Sequence, residues 1–174
     1  TIDSATFDGN LLTIDFSAVE TTDLPGLDVA TITPTVMVGL YAFDTKDYLI
    51  GAHERLIDDN GDGKIDNKDQ RALEYVVGTT NPRFTVVAVE GGRWTVTADL
   101  STWADLMVDG RVKRVEIAVM PTLKNGDGVT LALNAPSRTF DLGANAFADD
   151  FYSPIVKVTD GCNNCHEALA TKFH

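Results

Sequence analysis

The sequence predicts an all-β chain, an antiparallel Greek-key split barrel or sandwich. Three observations carry that prediction. Apolar residues recur with a period of two over several short segments, and Gly, Pro, Asn and Asp fall between those segments. The composition is that of a chain able to bury one core, with 44% hydrophobic and 23% charged residues among 174. In chain order, residues 11–16 alternate apolar with polar in their second half, and residues 35–43 form a longer β-rich apolar run. Residues 84–90 and 94–100 flank Gly91-Gly92, a two-residue hairpin signal, because adjacent glycines supply the positive φ of a primed turn. Val115, Ile117 and Val119 alternate with Glu116 and Ala118. Val129, Leu131 and Leu133 repeat the pattern, and Phe140 with Leu142 ends it. Phe7, Phe16, Trp94 and Trp103 are expected in the core.

Two segments break the β pattern. Over residues 66–77, Leu73, Val76 and Val77 suit a short helix that Gly78 would end. Residues 162–174, rich in Glu, Ala, Leu and Lys, are predicted as a second helix, joined to the β body through residues 145–154. The expected organisation is a β domain over residues 1–150 and a separate segment over residues 151–174. That segment ends abruptly at His174, so the chain is expected to be a piece of a longer protein.

Charge narrows the function classes. Fourteen Lys and Arg against 26 Asp and Glu give a net charge of −12, which disfavours nucleic acid and anionic membrane surfaces. The longest apolar run, residues 36–43, falls far short of the roughly 20 residues of a membrane-spanning helix. The N-terminus lacks a basic-then-apolar leader, as a mature exported chain would after processing. The two cysteines are Cys162 and Cys165, too close together to form a framework of structural disulfides.

Those cysteines belong to Cys162-Asn163-Asn164-Cys165-His166, a C-x-x-C-H sequence and the attachment pattern of a c-type haem. One helical turn sets two thiols where they can add to the vinyl groups on one side of the porphyrin, and the next residue brings an imidazole to the iron. Half of a zinc site is the alternative, with His166 or His174 completing it. No second C-x-x-C exists, however, and adjacent Cys165 and His166 are awkward on one tetrahedral ion. Covalent haem is installed outside the cytoplasmic membrane, so an exported chain is expected, at the cell surface or, alternatively, in the periplasm. His166 is the expected proximal ligand. The sixth position falls to His174, to His53 as runner-up, to a methionine among Met37, Met107 and Met120, or to a group from outside the chain. His174 lies about 12 Å of helical rise beyond His166. It could also serve a neighbouring haem, or the haem of a second copy, which would couple self-association to iron ligation.

The run from Ile155 through Gly161 into Cys162-Asn163-Asn164-Cys165-His166, followed by Leu169 and Phe173-His174, resembles the outer-membrane decahaem cytochromes of the OmcA/MtrC type. There a β domain hands over to a multihaem domain. The specific match covers about 20 residues; the remainder agrees in being β-rich. The resemblance implies split Greek-key β domains and electron transfer at the cell surface to minerals, flavins or partner cytochromes. This chain departs from the family in carrying one haem motif where those proteins have ten.

A second motif lies within the β domain. Residues 58–69 fit the D-x-[DN]-x-D-G calcium-loop template, with oxygens at Asp58, Asn60, Asp62 and Asp66, a carbonyl at Lys64, and Asp69 at the twelfth place. Gly63 makes the sharp turn, and Ile65 is expected to pin the loop to the core. Calcium would explain why so many carboxylates crowd together. The loop also resembles dockerin calcium loops, which likewise end on Asp, although those come in pairs. Rigidifying a long loop is the expected role.

The sequence therefore favours a calcium-stabilised β domain carrying one covalent haem for electron transfer. Two other readings compete. One is an open-site haem enzyme of peroxidase type, for which Arg138, Arg83 or His53 would have to supply distal groups. The other is a β-sandwich adhesion or docking module. Hydrolytic chemistry is disfavoured because, with His166 on iron, His53 and His174 alone remain to act as a base.

Overall fold

The computed structural model describes residues 1–18, 31–124, 127–133 and 135–148. The predicted helix over residues 162–174, with Cys162, Cys165, His166 and His174, lies outside them. Among the described residues eleven strands run in chain order: β1 (Ile2–Asp8), β2 (Leu11–Ser17), β3 (Thr33–Tyr41), β4 (Tyr48–Ile50), β5 (Glu74–Val76), β6 (Phe84–Glu90), β7 (Arg93–Asp99), β8 (Arg114–Lys124), β9 (Thr130–Ala132), β10 (Ser137–Asp141) and β11 (Ala146–Phe147). Every pairing is antiparallel. One sheet has the order β1-β2-β7-β6. The other has the order β11-β10-β8-β3-β4, with β5 pairing β3 and β9 pairing β8.

The period-two pattern sorts the side chains as a sandwich requires. Leu12, Ile14 and Phe16 of β2 and Trp94, Val96 and Ala98 of β7 face inward from the first sheet. Val36, Val38 and Leu40 of β3, Val115, Ile117 and Val119 of β8 and Phe140 of β10 face them from the second, all buried. Each of these side chains larger than alanine contributes about 2 kcal/mol of transfer free energy. Phe16 stands opposite Trp94 in register, their rings stacked at 5.4 Å. Phe16, Trp94 and Trp103 are core residues as expected, while Phe7 is only partly buried at its margin. The Gly91-Gly92 hairpin forms with φ of +53° and +78°, joining β6 to β7.

The outer face of the first sheet is ordinary solvent surface. Thr13 and Thr97 share a hydroxyl hydrogen bond of 3.0 Å, and Thr95 Oγ1 donates to Asp15 Oδ1 at 2.6 Å. Its edge strand β6 bulges between Val86 and Ala88, leaving Val87 65% exposed. Such a kink spoils the edge as a template for further strands.

The structure corrects the helix expected over residues 66–77. The backbone N–H of Ala72 donates to Glu54 O at 2.6 Å and that of Leu73 to Ala52 O at 3.2 Å, while Val38 donates to Leu73 O at 3.0 Å. Glu74-Tyr75-Val76 then forms β5 against Thr35–Met37 of β3. Tyr75 and Val76 are β-formers, and sheet pairing offered their backbone more than an isolated helical turn could. Gly78 therefore serves the turn after β5, with φ +91°, instead of capping a helix. A helical segment does occur elsewhere: Ser101–Trp103 in 3-10 form runs into α1 (Ala104–Val108), and Asp99 Oδ1 just ahead of it accepts from the Ser101 N–H at 2.8 Å in an Asx turn.

Candidate functional site

Residues 58–69 fold as a closed acidic loop between β4 and β5. Asp58 turns inward: its Oδ1 accepts from the N–H groups of Gly61 at 2.7 Å and Asp62 at 3.2 Å, and its Oδ2 from Gly63 at 2.7 Å. Asn60 Oδ1 accepts from Asp62 N at 2.9 Å, Asp62 Oδ1 from Lys64 N at 3.0 Å, and Asp66 Oδ1 from Lys68 N at 2.8 Å. Asp69 closes the ring. Its Oδ1 takes the N–H groups of Asp59 at 3.0 Å and Asn60 at 3.4 Å, and its Oδ2 that of Asp66 at 2.8 Å. The positive φ at Gly61 and Gly63, +72° and +82°, is what lets consecutive N–H groups point at one carboxylate.

The twelfth position is thus the loop's clasp, and Asp69 is 4% exposed. The Asp66 N–H above all, with those of Asn60 and Asp59, holds its carboxyl below the ordinary value against the opposing effect of burial. The clasp holds above the unfolded-state pKa and is lost as pH falls through the lowered folded-state value. Lys68 Nζ sits 3.4 Å from Asp62 Oδ2 and 3.6 Å from Asp66 Oδ2, a cation already placed across two of the expected ligands. Among the described residues no three His, Cys, Asp or Glu side chains converge closely enough to hold a metal as they stand. The carboxylates of Asp58, Asp62, Asp66 and Asp69 each accept from the loop's own backbone. The Lys64 side chain is exposed. Ile65 is 54% exposed, so it does not pin the loop, and Ile57 packs against the core instead.

What ties the loop down was not read from the sequence. Arg83, at the entrance to β6, reaches back so that its Nη2 donates to Asp59 Oδ1 at 2.8 Å, with the two side chains 9% and 18% exposed. Its guanidinium lies 6.0 Å from the centre of the Trp103 ring. Its Nη1 is buried without a partner among the described residues. Arg55 Nε donates to Asp69 O at 3.1 Å. Asn81, 4% exposed, donates to the carbonyls of Arg71 and Glu74 at 3.0 Å each and accepts from Arg83 N at 3.1 Å, which fixes the β5–β6 turn. The available signal was an arginine standing directly before the apolar run of β6, since a cation there needs a carboxylate partner.

His53 follows β4 with its side chain 61% exposed, and its Nδ1 bonds Glu74 Oε2. Arg71 Nη1 donates to the other oxygen of Glu74 and lies 3.4 Å from the same His53 nitrogen. This orients the ring. Met37 and Met120 lie on the outer face of the second sheet, and Met107 lies in α1. The structure therefore does not bring the candidate sixth ligands of the described region to one point.

Glu116 lies on that same outer face, in register with Gly39 of β3 and Thr139 of β10. The Thr139 hydroxyl donates to its Oε2 at 2.8 Å and the Ser137 hydroxyl to its Oε1. Burial raises its carboxyl above the ordinary value, with the Thr139 hydrogen bond opposing. An acid raised by folding is best tolerated protonated, so its stabilising contribution is present at low pH and is lost as pH rises through the folded-state value. Glu116→Gln, which keeps a donor and an acceptor, is expected to unfold at a higher temperature than the parent at pH 8, with the gap closing by pH 4. Equal midpoints at both pH values in a thermal unfolding series would contradict this.

No family model matches the chain, and no curated protein does. A solved structure that does match is the crystal structure of MtrC from Shewanella baltica OS185, with a TM-score of 0.56 at 17% sequence identity. The alignment covers 100% of this chain and 26% of that one, so the chain spans about a quarter of its structural neighbour. The likeness establishes a shared β-rich fold. No helix among the described residues is long and apolar enough to cross a membrane.

Proposed function

We propose that this chain is an electron-transfer module of a c-type cytochrome, exported and working at the cell surface. The observation that carries the reading is the C-x-x-C-H sequence, Cys162 to His166, placed directly after a β domain whose fold is shared with part of MtrC. Cys162 and Cys165 would hold the haem as thioethers, and His166 would give its imidazole to the iron. Bound there, a haem supplies reversible one-electron chemistry. The chain's own contribution is attachment, a fixed imidazole and a surface of net charge −12. Negative charge and a second imidazole both favour the ferric state, so a low potential is expected. That charge also steers encounter towards cationic or metal-bearing partners. Redox partner cytochromes, flavins and extracellular metals are the acceptors the family resemblance implies.

The test is the visible spectrum of the chain made in a haem-attaching host, before and after dithionite. A sharp Soret band with resolved α and β bands on reduction is expected, and its loss in Cys165→Ala would confirm covalent attachment. No haem absorption in the parent would overturn the proposal. His174→Ala and His53→Ala then identify the sixth ligand by which of them shifts the bands to high spin.

The acidic loop supports calcium as a structural ion. Asp58, Asn60, Asp62, the Lys64 carbonyl, Asp66 and Asp69 form an all-oxygen donor set in the right order, and an oxygen that accepts one N–H keeps a lone pair for a cation. Coordination requires Lys68 to yield its place and the carboxylates to close inward. Calcium at a hundredfold excess over its dissociation constant is expected to stabilise the fold by about 2.7 kcal/mol. Asp62→Asn should shrink that increment. A thermal midpoint identical in calcium and in chelator would exclude the ion.

A further inference from the structure

Between the end of the acidic loop and the β5–β6 turn lies a cavity of about 180 Å³, with Arg55, Gln70, Arg71, Glu74 and Thr80 among its walls. The acids at this cavity are already committed. The Asp69 carboxylate accepts the three N–H groups of the loop clasp, and Glu74 holds His53 on one oxygen and Arg71 on the other. Asp59, beside them in the loop, is taken by Arg83 and by the Gln70 N–H, which donates to its Oδ2 at 3.2 Å. Arg55 is different. It is half-buried, its Nε donates to the Asp69 carbonyl at 3.1 Å, and its two Nη groups have no partner among the described residues. A guanidinium carries five N–H donors, so four of them are unspent on a residue that lines the cavity. The Gln70 amide and the Thr80 hydroxyl, on the same wall, likewise make no hydrogen bond among the described residues. Withdrawing part of a cation from water costs free energy unless another group satisfies it.

We propose that this cavity binds a small oxyanion of the phosphate class, with Arg55 as its anchor. The planar fork of an arginine can give such an ion two parallel N–H···O bonds, and the Gln70 amide and Thr80 hydroxyl supply neutral donors beside it. Arg71 adds positive charge, which Glu74 offsets. The volume is below the roughly 300 Å³ at which pockets for organic ligands begin, so the ligand is a single small ion and not a nucleotide or a sugar. The net charge of −12 opposes any anion, so binding is expected in the millimolar range and to depend on the local fork, not on long-range attraction. Because Arg55 also holds the Asp69 carbonyl, an ion on its fork would brace the end of the acidic loop.

Proton–nitrogen NMR correlation spectra of the whole chain test the site, titrated in calcium-free buffer with inorganic phosphate and, at equal ionic strength, with chloride. The outcome is independent of the haem reading. Phosphate should shift the signals of Arg55 Nε–H, the Gln70 side-chain amide and the Thr80 N–H saturably, and chloride should not. In Arg55→Gln the Gln70 and Thr80 shifts should need at least tenfold more phosphate, whereas Arg93→Gln, at the β6–β7 hairpin, should match the parent. Should Arg55→Gln disturb the loop, Arg55→Lys keeps the charge, loses the fork and carries the same expectation. Equal responses to phosphate and chloride in the parent, or an unchanged phosphate titration in a folded Arg55 variant, overturn the proposal.

Discussion

Replacing Phe140 with alanine is expected to lower the unfolding free energy by about 4 kcal/mol. The ring is fully buried on β10 and meets Phe147 of β11 edge-on, 5.7 Å between centres and 84° between planes. Phe140 and Phe147 are also register partners, so the same truncation loosens the last described strand. At roughly 2–4 °C per kcal/mol for a chain of this size, the melting midpoint should fall by about 8–16 °C. Thr97→Ala on the solvated face should stay within about 1 kcal/mol. A Phe140→Ala midpoint within 2 °C of the parent, roughly 1 kcal/mol at most, would mean that β10 is not packed as described.

Asp59→Ala should cost about 3 kcal/mol, more than a surface ion pair would. The carboxylate faces a guanidinium that is 9% exposed and already has one nitrogen without a partner among the described residues. Removing Asp59 leaves a buried cation uncompensated, and that penalty is larger than the net value of the pair. The double change Asp59→Ala/Arg83→Met should therefore recover most of the loss, because a methionine fills the space beside Trp103 without a charge. Chemical denaturation of the parent, both single variants and the double variant gives the coupling directly. Additive losses would show that Asp59 and Arg83 do not act as a pair.

How far the sequence could be read is seen in particular residues. Alternation in residues 11–16 and 94–100, and the Gly91-Gly92 turn between its two strands, are local signals, because side chains in a strand point to opposite faces whatever lies beyond. Asp69 was read as the twelfth position of a calcium loop, whereas its closing of the loop on the N–H groups of Asp59, Asn60 and Asp66 emerged from the structure. Glu74-Tyr75-Val76 was misread as helix because the competing partner, β3, lies some forty residues away in sequence. β1 was missed too. Its burial alternates weakly because it is an edge strand with one neighbour.

The sequence by itself determined an antiparallel all-β body, the positions of its hairpin and acidic loop, and the presence of a C-x-x-C-H motif. Each of these depends on residue spacing within a dozen positions, which backbone geometry makes local. Tertiary structure alone decided that Arg83 anchors the loop through Asp59, that Ile65 faces solvent while Ile57 packs inward, and that Met37, Ala118 and Met120 share an outward face beside Glu116. The shared outward face comes from the β3–β8 register, which pairs residues about eighty positions apart, and the loop's anchoring comes from a side-chain contact across 24 residues; no local pattern encodes either.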